Sequence, residues 1–176
     1  MRRRVGFAPV VDADTRLLIL GSLPGDASLA AGQYYAHPRN GFWRLTGDLI
    51  GRDLIALPYP QRLEALKAAG IGLWDVITTA HRAGSLDAAI RDPEFADLTG
   101  LVATLPQLRA VAFNGATAAR AGRRAMAGYA DALTLIDLPS SSPAHARPLA
   151  EKARAWAVLD EFTDRPTVGA PECRAP

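Results

Sequence analysis

Four short apolar runs punctuate the chain: TRLLILG at 15–21, IGLWDVI at 71–77, AVAFNG at 110–115 and LTLIDL at 133–138, the first and third ending in glycine. Hydrophobicity that is continuous rather than alternating is what a strand buried on both faces requires. Between the runs, apolar residues recur at helical spacing. Phe42, Leu45, Leu49 and Ile50 make one stripe, Leu63, Leu66 and Ala69 a second closed by Gly70, and Leu98, Leu101, Val102 and Leu105 a third. These are single faces of amphipathic helices. Residues 116–127 read as an Ala/Arg-rich helix just after Asn114-Gly115, and Pro148 opens a last helix. On it Leu149, Ala153, Trp156 and Leu159 are expected to face inward and Glu151, Lys152 and Arg154 outward. Strand and helix alternate, so the predicted fold class is α/β, a three-layer α/β/α arrangement with a central, mostly parallel four-stranded sheet. Residues 1–164 are expected to form a single domain, 84–93 a loop or short helix, and 165–176, rich in Pro, Gly and charge without periodicity, a mobile tail.

In an open α/β sheet, ligands bind beyond the carboxyl ends of the strands. That directs attention to 21–40, 75–84, 114–117 and 139–147, where the unusual residues of this chain fall. Residues 33–43, QYYAHPRNGFW, place two tyrosines, a histidine, an arginine and an asparagine where neither helix nor strand formation asks for them. An aromatic ring in a cleft is a platform for a flat ligand such as a nucleobase. Residues 138–145, LPSSSPAH, form a rigid turn rich in hydroxyl and N–H donors ahead of a helix, an arrangement suited to an anion; a plain solvated turn is the alternative. Residues 21–28, GSLPGDAS, lack the Gly-Lys-Ser/Thr ending of a nucleotide phosphate loop, and no GxSxG hydrolase elbow is present. His37, His81 and His145 all fall on these loops, without the spacing of a zinc motif.

Composition narrows the class further. One cysteine, Cys173, excludes a disulfide within the chain and any cysteine-rich metal or iron–sulfur site. The longest apolar runs are far short of a membrane span, and the basic start is not followed by an apolar signal core, so a cytoplasmic protein that does not contact a membrane is expected. Formal charge is only +2, yet of the 20 basic residues all but Lys67 and Lys152 are arginine, the side chain best shaped for bidentate phosphate contacts.

Together, three segments resemble the uracil-DNA glycosylase superfamily. GSLPGDASLAAGQYYAHPRNGFW is similar to the first-strand loop of mismatch-specific uracil-DNA glycosylases and, more closely, of the hypoxanthine-DNA glycosylase branch. GIGLWDVI resembles the strand whose end reads the extruded base, and LPSSSPAHAR the serine/proline loop that grips DNA. The resemblance covers residues 17–156. It implies a monofunctional DNA glycosylase without cofactor or metal, hydrolysing the bond between a deaminated base (uracil, hypoxanthine or xanthine) and deoxyribose, and leaving an abasic site for downstream repair enzymes. A monomer is expected. A lyase step needs an amine, and both lysines read as lying on helix surfaces away from the loops.

The resemblance also implies residue roles. Catalysis falls to Asn40, Asp75 and His145; base binding to Gly21, Ser22, Leu23, Tyr35, Asp75 and Asn114; DNA contact to His37, Arg39, Ser140, Ser141, Ser142, Ala144, His145 and Arg147. Tyr35 stands where an aromatic would stack on the base, and the neutral amide of Asn40 would orient water; helix capping is the alternative for Asn40. Asp75 would read the base edge, with a helix cap or an ion pair to Arg82 as alternatives. Leu23 occupies the position where many members carry a water-positioning Asp or Asn, and Leu138 that of the usual histidine. His145 could serve the leaving base or fill the gap in the duplex. Two other readings remain: a catalytically silent, damage-sensing DNA-binding module, and a metal-dependent hydrolase built on the three histidines.

Overall fold

The computed structural model describes residues 2–164; the tail at 165–176, with Cys173, lies outside the described residues. All four apolar runs are strands: β2 (Leu17–Gly21), β3 (Ile71–Asp75), β6 (Ala110–Asn114) and β7 (Thr134–Leu138), in one parallel sheet of order β3-β2-β6-β7. β2 shows why. Leu17 and Ile19 join the apolar cluster on one face of the sheet, Leu18 and Leu20 that on the other, and every side chain of the strand is buried. Helices α2 (Phe42–Ile50), α3 (Tyr59–Ala68) and α6 (Leu149–Trp156) cover the first face; α4 (Leu98–Ala103) and α5 (Ala116–Ala125) cover the second. A six-residue α1 (Asp26–Ala31) follows β2. The three-layer prediction is met.

Registry fixes where a site can form. Gly21 lies opposite Asp75, Leu20 opposite Phe113 and Asn114 opposite Leu138, so the four strands end at nearly one level and their exit loops share one edge. β2 leads to β3 on one side while β6 pairs with β2 on the other, which is the topological switch that opens a crevice.

A second sheet departs from the sequence reading. β1 (Arg2–Val5), β4 (Ile77–Arg82) and β5 (Arg91–Phe95) form an antiparallel sheet of order β1-β4-β5. The segments expected as loops at 75–84 and at 84–93 thus supply two of its strands, with a short 3₁₀ turn at Asp87–Ala89 between them. Every residue of β5 is exposed and Pro93 lies within it, as an edge strand tolerates. β4 ends in Arg82, which is wholly buried. Its guanidinium donates to the backbone carbonyls of Leu23, Pro24 and Gly84, tying the smaller sheet to the turn after β2.

Helix α6 brings another correction. Lys152, expected outward, is buried, while Leu149, expected inward, is exposed at the first helical position. The Lys152 ammonium donates to the carbonyl of Ser142 at 3.0 Å, which draws it under the serine loop.

Candidate active site at the strand ends

A cavity of about 480 Å³ opens at the shared carboxyl edge. Its floor is the end of β2. A Cβ on Gly21 would lie 2.5 Å from Asp75 Oδ1 and 3.0 Å from the Tyr35 hydroxyl, so only glycine lets those two polar tips approach the same strand end.

Tyr35 is held in an uncommon backbone conformation, φ 53°, which costs a bulky residue of the order of 1 kcal/mol and persists only where packing enforces it. The enforcement is visible. Tyr34 on one side is buried, with its hydroxyl donating to the Ala8 carbonyl and its amide to the Tyr59 hydroxyl; Ser28 Oγ accepts from the Ala36 amide on the other. The Tyr35 ring stacks on Phe42 at 3.8 Å with an 11° tilt, and Phe42 in turn meets Trp43 and Trp156 edge-on. One face of the ring is therefore covered and the residue still lines the cavity. Its hydroxyl is buried and meets no partner at full hydrogen-bond geometry among the described residues, although the Asn114 side chain lies close enough to act on it. Burial and the Asp75 carboxylate push the ionisation of that hydroxyl upward against the opposing Asn114 side chain, so it remains a proton donor at neutral pH.

Asp75 is likewise buried, with Oδ2 unpartnered. Desolvation, reinforced by the negative charge of Asp87 and partly offset by Arg82, pushes its carboxyl up to about 7. Neither bland alternative for it holds. Asp75 leads into β4 rather than a helix, and Arg82 donates to backbone carbonyls and not to the carboxylate.

Asn40 lines the cavity just before α2, its Oδ1 accepting from the Phe42 amide at 3.0 Å. The capping alternative is thus partly realised: the carbonyl side of the amide closes the turn, and Nδ2 has no partner among the described residues. Asn114 and Ser141 form a reciprocal pair, Ser141 N donating to Asn114 Oδ1 at 2.8 Å and Asn114 Nδ2 to Ser141 Oγ at 2.9 Å. Ser141 also accepts from the Gly41 amide, which locks the serine loop to the start of α2.

The base-contact candidates Gly21, Ser22, Leu23, Tyr35, Asp75 and Asn114 all line this cavity. So do the DNA-contact candidates His37, Ser140, Ser141, Ser142, Ala144 and His145. Arg39 and Arg147 do not; they line a smaller adjoining cavity. Leu23 is buried in the apolar cluster beneath, so it contributes shape and no polar group. Three wall residues lie outside the sequence reading: Ser85, Leu86 and Asp87, from the turn after β4. Asp87 accepts from the Ser22 hydroxyl at 2.7 Å. No motif announced them, since they belong to a short turn between strands of mostly polar sequence that carries no periodicity to read. The metal reading loses its geometry: His81 sits on β4 facing Asp92 at 3.7 Å while His37 and His145 flank the cavity, and no cluster of three potential metal-ligating side chains occurs among the described residues.

The serine loop differs in detail from its expected anion grip. The amides of Ser141, Ser142, Ala144, His145 and Arg147 all donate to protein acceptors, four of them within the loop itself. Its hydroxyl protons and nearby cations remain for an anion.

A three-layer sheet with an aromatic, amide and carboxyl-lined cavity at its switch point has its ligand site where open α/β folds place it. The profile described as "Uracil DNA glycosylase superfamily" matches residues 8–160, and this chain belongs to that superfamily. It is 45% identical over 157 residues to the hypoxanthine DNA glycosylase of Methanosarcina barkeri, covering 88% of this chain and 96% of that protein. It is 43% identical over 156 residues to the hypoxanthine DNA glycosylase of Methanosarcina acetivorans, with the same coverage. The solution NMR structure of a candidate uracil DNA glycosylase from Methanosarcina acetivorans superposes with a TM-score of 0.81 at 40% identity, covering 90% of this chain and 97% of that one. Family and relatives support a DNA glycosylase, with DNA as its substrate. No helix among the described residues is long and apolar enough to cross a membrane.

Proposed function

We infer that this glycosylase removes deaminated bases from DNA, hypoxanthine foremost, by extruding the nucleotide into the cavity at the strand ends and hydrolysing its glycosidic bond. The observation that carries this reading is the pair of buried, unpartnered polar atoms, Tyr35 Oη and Asp75 Oδ2, in one cavity. Buried polar groups are nearly always hydrogen-bonded, so two orphans facing the same space call for a partner from outside. Deamination gives hypoxanthine, xanthine and uracil a shared edge, a ring N–H beside a carbonyl, where adenine and cytosine present the opposite order. An ionised Asp75 accepts from that N–H and repels a ring-nitrogen lone pair. The relatives named hypoxanthine DNA glycosylases favour the purine among these substrates.

In this reading the open face of Tyr35 supports the base while Phe42 braces the ring from behind. Asn40 uses its remaining Nδ2 to orient water at C1′ and to contact the sugar. The water oxygen bonds to C1′ as the glycosidic bond breaks; the base leaves with the bonding pair, and the water proton is released to the base or to solvent. Because an amide takes up no proton, Asn40 contributes placement and electrostatics rather than general-base chemistry. His145, exposed on the rim, is assigned to DNA contact or to the leaving base, and no cofactor enters the scheme.

The test is a base-release panel on single- and double-stranded oligonucleotides carrying hypoxanthine, xanthine or uracil, with alkali cleavage of abasic sites. Release of hypoxanthine, with undamaged adenine untouched, is expected. Binding of damaged DNA without release would instead support the silent, damage-sensing module.

A further inference from the structure

Beside the main cavity, and sharing Asn40, Ser141 and His145 with it, lies a second cavity of about 300 Å³ between the start of α2 and the serine loop. Arg39, Arg44, Arg147 and Lys152 line it, and no carboxylate does so among the described residues. None of the three arginine side chains makes a hydrogen bond or ion pair among the described residues, and all three are exposed.

Lys152 is the unusual member. The residue is only 4% exposed and its ammonium is partly buried, a position that normally has a carboxylate beside it because removing an unpaired charge from water is costly. Here it has the Ser142 carbonyl alone, using one of three N–H donors. Desolvation, with no acidic neighbour to oppose it, draws its pKa down. A partly buried cation with two idle donors, lining a cavity ringed by unpaired guanidinium groups, lacks an anion.

We propose that this second cavity is a phosphodiester subsite, in which Lys152 and Arg44, flanked by Arg39 and Arg147, hold one backbone phosphate next to the extruded nucleotide. The assignment rests on the DNA glycosylase reading and adds to it the location of one phosphate and two residues, Lys152 and Arg44, that no resemblance implied. It also accounts for the serine loop. With its amides occupied by protein acceptors, charge for the phosphate comes from the side chains beneath and beside it. Guanidinium and ammonium donors to a phosphate are the strong, charge-assisted class.

A methylphosphonate scan tests this. Duplexes containing deoxyinosine are made with one neutral methylphosphonate at each position flanking the lesion, and affinity is measured for the wild type, Arg44→Ala and Lys152→Met. In the wild type one position is expected to weaken binding by about tenfold, the scale of one charge-assisted hydrogen bond. In Arg44→Ala that same substitution should matter much less, and the slope of log Kd against log salt should become shallower by about one. Arg44 is exposed, so its replacement leaves the core intact even if Lys152→Met proves unstable. Equal methylphosphonate penalties in wild type and Arg44→Ala, or no sensitive position at all, overturn the subsite. A wild type that binds these duplexes but releases no base from any of them refutes the base-excision reading and leaves the phosphate result to stand or fall by itself.

Discussion

The two loops that frame the cavity are built on opposite principles. The one after β2 keeps a tyrosine at positive φ, buries its hydroxyl without a partner, and leaves an asparagine amide nitrogen unused. The one after β7 is internally satisfied: its serines close short turns on themselves, Asn114 and Ser141 exchange two hydrogen bonds, and the Trp156 indole and Lys152 donate to its carbonyls. The difference teaches which loop carries chemistry and which carries shape. Unsatisfied groups and backbone strain mark a surface completed by its ligand, whereas a saturated hydrogen-bond network marks a template.

The comparison can be broken most decisively at Asn40. Replacing it by alanine removes the uncommitted amide nitrogen that lines the cavity. Single-turnover base release should then fall by about 10²–10³-fold, the scale seen when one positioned transition-state donor is lost. Affinity for the lesion duplex should change far less; near-normal release would remove Asn40 from the chemistry.

Asp75→Asn comes next. In the folded protein the carboxyl titrates near 7 rather than the ordinary 3.8, so its contribution to stability is fully present below about pH 4 and is lost as pH rises through 7. The asparagine variant avoids that loss. With about 1.4 kcal/mol per pKa unit, discounted for local relaxation, it should be more stable than the wild type by about 2 kcal/mol at pH 8, with no such gain at pH 4, as read from denaturant midpoints. Wild-type base release should rise with pH through about 7 as the carboxylate forms and becomes an acceptor, and the variant should lack this limb. A falling limb would mean that the protonated acid is the working form.

The smallest effect is expected in the second loop. Ser141→Ala leaves one buried N–H of Asn114 without its acceptor and should lower stability by about 1–2 kcal/mol, measured as a fall in Tm. If the loop is a template, release from saturating DNA should drop only modestly. A loss on the scale of Asn40→Ala would erase the distinction between the loops.

The sequence disclosed those parts of the molecule in which one physical demand dominates. The strands of the parallel sheet are apolar on both sides because both sides are covered, and Leu17–Gly21 can be read as nothing else. The cavity loops were legible because strand ends in such a sheet converge, and because residues 33–43 carry Tyr35, His37 and Asn40 into the cavity, while Tyr34, Phe42 and Trp43 of the same stretch prove to be core. The smaller sheet was not. RRRV and RDPEF are exposed edge strands held mainly by backbone pairing to ITTAHR between them, and pairing leaves little trace in side-chain polarity. Lys152 misled for a related reason: helical periodicity assigns a face, while the carbonyl that drew it inward comes from a loop folded 10 residues earlier in the chain. Asp87 reaches the cavity through that unread sheet, and its influence on Asp75 could be found only in three dimensions.

Arg82 gives the concealed sheet a further importance. Because its guanidinium fastens β4 to the carbonyls of Leu23 and Pro24, the central strand of the smaller sheet is anchored to the turn that follows β2. Arg82 thereby ties the smaller sheet to the cavity floor, whereas its outermost strand, Arg91–Phe95, is exposed at every residue.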